Sequence, residues 1–195
     1  MKEVEAAKTP DQREQIEERL TEKGSIYLDI WKFGINTALR IGDILTIRTD
    51  DVRDLDKDHP VLELIEAKTK RTGKRRIITL NRGALEVIAR RLALRPADEW
   101  LFQSTSPRHS RRISPQPLTR KAVGRVFEAV GRDIRPRVRL GTHSMRKTRG
   151  FAMHESGKRI EEICRMFGHS HPAITMRYIG LTAETVRKGY EDLVL

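Results

Sequence analysis

The chain has 195 residues and only one cysteine, Cys164. A lone cysteine closes no disulfide within the chain and builds no cysteine-based zinc site. Long apolar runs are also missing. The richest stretch, Ile26 to Leu39, is broken by Asp29, Lys32 and Asn36. No segment nears the roughly 18–20 apolar residues that cross a membrane. The opening Met-Lys-Glu-Val-Glu-Ala-Ala-Lys is polar, mixed in charge and followed by no apolar run, so no signal peptide is expected. These absences predict a cytoplasmic protein. There is no glycine-rich phosphate loop, so nothing points to ATP, and no repeat or low-complexity tract.

What is present is charge. Hydrophobic residues make up 37% and charged residues 34%, enough apolar material for one domain with a real core. There are 39 Lys and Arg against 27 Asp and Glu, a net charge of +12. The excess is concentrated: residues 108–149 hold 13 Lys or Arg and two acids, Glu128 and Asp133, so this segment alone supplies +11. A field that dense attracts a polyanion, and nucleic acid is the expected partner.

The pattern predicts a mainly helical α+β domain with one strand pair. Thr9-Pro10-Asp11 opens a helix to Lys23, stopped by Gly24, and Ser25 to Thr37 is an apolar helix that crosses the core. Ala38 to Ile47 reads as a shorter helical segment. Asp50-Asp51 and Arg53 to Pro60 read as loop. Val61–Lys70 and Arg75–Leu80 read as strands joined by a turn at Arg71-Thr72-Gly73-Lys74. Asn81 caps a helix over Gly83–Leu94, and Ser104–Pro117 is an exposed loop. Helices follow over Leu118–Arg132, Thr142–Glu155 and Lys158–Phe167. Pro172 starts a short helix that ends at Gly180, and Thr182 caps a last one to Leu195.

Breaking a phosphodiester without a metal requires a nucleophile, cations for the charge growing on the non-bridging oxygens, and an acid for the leaving oxygen. Arginine suits the phosphate because its planar fork grips two oxygens and keeps its charge. The chain offers Arg40 with Asp43 three residues on, and His143-Ser144-Met145-Arg146 with His and Arg on one helix face. Gly168-His169 follows, and Tyr178 comes nine residues after His169. Lys68 and Lys70 sit where the strand pair nears its turn.

The order Arg, Lys, His-x-x-Arg, Gly-His, Tyr resembles the tyrosine recombinases, or phage integrases, over roughly Ile26 to Leu195. Gly168-His169 with Thr175 and Tyr178 is the most specific part. Ala38-Leu39-Arg40 with Asp43, Leu45 and Asp51-Val52 matches the family's first motif. The resemblance implies that Arg40 and Arg146 clamp the scissile phosphate. His143 and His169 would bond to it and assist proton transfer. Tyr178 would attack, leaving a 3′-phosphotyrosyl link and a free 5′-hydroxyl. The hairpin lysine would protonate the leaving 5′-oxygen; Lys68, in Ala67-Lys68-Thr69, fits best, with Lys70 the alternative. Asp43 would orient Arg40. No cofactor, metal or ATP is implied. The implied partner is double-stranded DNA, bound by a tetramer at the nucleoid. The stripe Val186, Tyr190 and Leu193 would dock the last helix on a neighbouring protomer.

Several features depart from the family pattern. The loop before the strands and the hairpin turn are long, Thr79 replaces a common proline, and Lys147 stands where a second histidine is frequent. Most such enzymes carry an N-terminal helical domain, but only about 25 residues precede the first core helix. A fragment of a longer enzyme, or the short subgroup typified by fimbrial-switch inverting recombinases, would have that form. Each residue also has a plainer reading: Tyr178 as a half-buried core tyrosine, Arg40 in a salt bridge, His143 as a helix cap. His169 and His171 lack a third zinc ligand. Two rival functions remain at this stage, a type IB topoisomerase with the same chemistry and a DNA-binding module without cleavage.

Overall fold

In a computed structural model, residues 3–65, 75–105, 114–181 and 191 are described. The helices are α1 (Pro10–Lys23), α2 (Ser25–Thr37), α3 (Ile41–Ile44), α4 (Asp50–Arg53), α5 (Arg82–Leu94), α6 (Arg120–Asp133), α7 (Ser144–Glu155), α8 (Ile160–Phe167) and α9 (Pro172–Ile179). Strands β1 (Val61–Ile65) and β2 (Arg75–Thr79) lie between α4 and α5 and pair antiparallel, from Val61 opposite Thr79 to Ile65 opposite Arg75. The α+β class expected from the sequence is the one observed.

Helix ends follow local chemistry. Thr9 and Gln12 form a reciprocal capping box at the start of α1, where Pro10 takes the first helical turn. Asn81 caps α5 and Thr119 caps α6 through their side-chain oxygens. α2 is the central helix and packs against α1, α5 and α7. Its Trp31 meets Phe127 of α6 edge to face at 5.7 Å, and Phe33 meets Phe102 at 5.9 Å. All four rings are fully buried, each contributing about 1.5–3 kcal/mol of transfer free energy.

Two segments differ from the sequence reading. The helix expected over Ala38 to Ile47 is one turn, Ile41–Ile44, because Ala38 turns left-handed (φ 54) and Arg40 is extended. The stretch read as loop at Asp50-Asp51 is a helical turn, α4, with Asp51 Oδ2 accepting the Arg48 N–H at 2.8 Å. The hairpin turn, Lys68, Lys70 and the docking stripe of the last helix fall outside the described residues. No described helix is long and apolar enough to cross a membrane.

Candidate active site

Tyr178 lies near the end of α9, and its surroundings come from four other parts of the chain. Its phenolic oxygen is 3.0 Å from His143 Nδ1, at the start of α7. The His169 ring stands edge-on to it at 5.2 Å between centroids, and the Phe167 ring at 5.8 Å. Both come from the end of α8 and the turn behind it. That turn depends on Gly168, which closes α8 at φ +63, where a side chain would be strained. Buried Thr175 orients His169, with its Oγ1 2.9 Å from Nδ1.

Arg146 is 2% exposed. Its terminal nitrogens donate to the Ala38 carbonyl, at 2.6 Å, and to the Phe167 carbonyl. The Phe167 ring lies 4.4 Å from its guanidinium carbon. Ala38 adopts the left-handed conformation, which costs an L-residue roughly 1–2 kcal/mol, and the carbonyl it presents is the one Arg146 takes. A guanidinium has five N–H donors, so two carbonyls fix its plane without exhausting it. α7 comes so near its neighbours that a Cβ on Gly150 would lie 2.6 Å from Ile179 Cγ2 and 2.7 Å from Phe167 Cζ.

Arg40 is half-buried two residues beyond Ala38, and its charge reaches both His143 and Tyr178. Asp43 is 3% exposed, and its backbone N–H donates to the Arg40 carbonyl at 2.9 Å. The structure thus gathers Arg40, His143, Arg146, His169 and Tyr178 at one place, with Asp43 on the next helical turn from Arg40. Arg76 of β2 donates to the Met166 carbonyl, so the sheet attaches to the same end of α8. Lys68 and Lys70 lie outside the described residues. Among the described residues, no three His, Cys, Asp or Glu side chains converge on a metal position.

The electrostatics set a chemical problem. Burial pushes the Tyr178 phenol up to about 12, against the pull of the Arg146 and Arg40 charges. Deprotonating it outright at pH 7 would cost about 7 kcal/mol, so this oxygen could act as a nucleophile only if its proton left during attack. Burial also pulls His143 below its usual range, helped by the charges of Arg120, Arg146, Arg40 and Lys147. His143 is therefore neutral near pH 7. In the tautomer protonated at Nε2, its Nδ1 can accept the phenolic proton.

Three contributors were given no role at the site by sequence reasoning. Lys147 Nζ sits 5.1 Å from the centre of the Tyr178 ring. Its signal was available, since it lies four residues after His143 on the same helix face. Glu3 pairs with Lys147 across the sequence and had no local signal. Arg120 carries the α6 charge nearest in effect to His143. Tyr178, His143, Glu3 and Lys147 line an open groove of about 1080 Å³ together with Arg120, Lys121, Arg125 and Glu128 of α6.

Comparisons with known proteins bear on this site. The model of the phage integrase family matches residues 8–185. The chain is 34% identical over 189 residues to the probable integrase/recombinase YoeC of Bacillus subtilis (strain 168), covering 96% of both proteins. The crystal structure of XerA recombinase superposes with a TM-score of 0.71 at 18% identity, covering 98% of this chain and 66% of that one. The Tn1549 transposon integrase in complex with circular intermediate DNA gives 0.70 at 18% identity, over 99% of this chain and 68% of that one. The chain therefore spans nearly all of the Bacillus relative and about two thirds of these structural neighbours.

Proposed function

The chain belongs to the phage integrase family of tyrosine-type site-specific recombinases, and from that membership we propose that it cuts and rejoins DNA through Tyr178. The observation that carries the reading is the Tyr178 hydroxyl held 3.0 Å from a neutral histidine, beside a buried arginine. DNA lies in the groove walled by α6, where cations neutralise the phosphates. Arg146 and Arg40 take the non-bridging oxygens of the scissile phosphate. Tyr178 attacks phosphorus as its proton passes to His143 or to a phosphate oxygen. The phenolic oxygen gains a bond to phosphorus, the 5′-oxygen leaves with the bond pair, and the hairpin lysine, Lys68 or Lys70, supplies its proton. His169, turned by Thr175, bonds to the phosphate, and Asp43 steadies Arg40. The 3′-phosphotyrosyl link conserves the bond energy, so attack by a partner strand's 5′-hydroxyl reverses the step without metal or ATP.

In this reading the whole chain acts as the catalytic domain, and strand exchange takes place in a tetramer joined by residues 181–195. A DNA duplex nicked beside the cleavage point tests the chemistry, because the short product diffuses away and traps the covalent complex. Wild type should accumulate denaturant-resistant protein–DNA adduct, and Tyr178→Phe should bind the duplex but form none. Adduct from Tyr178→Phe would move the nucleophile elsewhere. No adduct from wild type on its own target, with binding intact, would favour a DNA-binding module without cleavage.

A further inference from the structure

The Glu3–Lys147 pair has no part in the strand-transfer scheme, yet it lies against the nucleophile. Lys147 Nζ and Glu3 Oε1 are 2.5 Å apart, and the two side chains are unequally buried, 7% exposed for Lys147 and 65% for Glu3. An ammonium so enclosed needs an anion beside it. The exposed carboxylate, by contrast, can return to water at little cost. The Lys147 hydrogen bond, with its charge, also holds the Glu3 carboxyl below its usual range, so Glu3 is ionised at neutral pH.

The segment around Glu3 is fastened elsewhere. Glu5 and Arg139 are joined by a backbone bond of 2.9 Å and a side-chain ion pair of 2.7 Å. The Ala7 N–H donates to Thr148 Oγ1 at 2.9 Å. Glu3 could therefore let go of Lys147 while the chain from Glu5 onward stays in place. Two residues of extended chain reach about 7 Å, enough to swing a carboxylate out of the groove. Glu3 and Glu128 are the acids in that groove, beside the cations Arg120, Lys121 and Arg125, and Glu3 is the one that pairs with Lys147.

We propose that Glu3 is a built-in stand-in for a DNA phosphate: it occupies Lys147 in the unbound protein, and an incoming backbone phosphate displaces it and takes Lys147 as a contact beside Tyr178. The proposal rests on the DNA strand-transfer reading above. It makes Lys147 a phosphate-binding residue that the five gathered side chains do not include. It also gives the unbound protein a brake, since Glu3 holds negative charge where the DNA backbone must come.

A double-mutant cycle in the full chain tests this, using fluorescent nicked duplex and reading both equilibrium binding and the rate of covalent adduct. Glu3→Gln keeps the shape and removes the charge, at an exposed position where folding is not at risk. It should bind duplex about two- to fivefold tighter at low salt, the scale of one exposed ion pair, and form adduct correspondingly faster. Lys147→Met should bind more weakly and flatten the slope of log affinity against log salt by about 0.9, one phosphate contact fewer. Lys147→Arg should restore both, and it stands in if Lys147→Met does not fold. In the Lys147→Met background, Glu3→Gln should change binding by less than half of its effect in wild type. The proposal is overturned if Glu3→Gln binds no tighter than wild type, or if its gain persists in full without Lys147. Binding decides this question whether or not adduct forms, so failure of the strand-transfer reading would show separately, as wild type that binds and never cleaves.

Discussion

The described residues form two apolar clusters of very different size. The main one runs through α1, α2, α5, α6 and the sheet, and includes Trp31, Phe33, Phe102 and Phe127. The second consists of Ala38, Ile163, Phe167 and Ile179, with Tyr178 packed against it. The large cluster contains none of the candidate catalytic side chains. The small one touches three of them: Arg146 lies on the Phe167 ring, the His169 and Tyr178 rings stand against it, and the Ala38 carbonyl holds Arg146. Stability and the proposed chemistry thus fall on different parts of one domain. Among the described residues, the cluster that packs α8 and α9 is small, so Tyr178 is expected to sit on the part that opens at lower free energy.

Removing one ring from each cluster should separate the two roles, and this is the largest expected effect. Phe127→Ala should lower the free energy of unfolding in urea by about 3–5 kcal/mol, while the protein that remains folded cleaves normally. Phe167→Ala should cost less in global stability and lose most adduct formation, because Arg146, His169 and Tyr178 all rest on that ring. Equal losses of stability would mean a single cooperative core and would end the comparison. Next in size is Arg146→Lys. It keeps a cation but loses the fork that spans Ala38 and Phe167, and cleavage should fall by about 100-fold or more, the scale for one missing oxyanion donor. Near-normal cleavage by this variant would remove Arg146 from the phosphate.

The same division explains what the sequence could and could not reveal. The large core was legible because its causes are local. Helix periodicity, Thr9 with Pro10, and Asn81 set α1, α2 and α5 to within a residue. The candidate site residues around the small cluster were picked out one at a time, through motif order, but their arrangement was not legible. Nothing near Ala38 announces a left-handed residue, because the partner that uses its carbonyl, Arg146, is 108 positions away. That turn cut the segment expected over Ala38 to Ile47 down to one helical turn. Glu3 was invisible for the same reason, being 144 residues from Lys147. Thr175 was visible as part of a motif, and only the fold gave it a task.

That task supplies a smaller effect. Thr175→Val keeps the volume and removes the hydroxyl that meets His169 Nδ1. The loss of one hydrogen bond that orients a ring should slow cleavage about five- to tenfold, in line with roughly 1 kcal/mol. Thermal stability should move little, since valine fills the same buried space. If Thr175→Val cleaves as fast as wild type, His169 does not depend on it, and the small cluster does less than its contacts suggest.

The smallest effect is one of pH, and it tests whether Tyr178 is as enclosed as the small cluster implies. Its phenol is raised from 10.0 to about 12 by burial. The folded protein therefore keeps this proton at a pH where the unfolded chain has begun to lose it. Stability from this group is fully present below pH 10 and is lost as the pH rises toward 12, because ionisation favours the unfolded chain first. By pH 10.5 the loss should be on the order of 0.5–1 kcal/mol. Tyr178→Phe cannot ionise, so the difference in unfolding free energy between variant and wild type should be flat from pH 8 to 9.5. It should then shift in favour of the variant as the pH climbs. His143 works in the opposite window: its depressed pKa adds stability that is present above about 6.5 and lost as the pH falls below it. The alkaline comparison avoids that region. A difference that stays flat through pH 10.5 would mean that Tyr178 is solvated in the free protein, and that the small cluster does not enclose its ring.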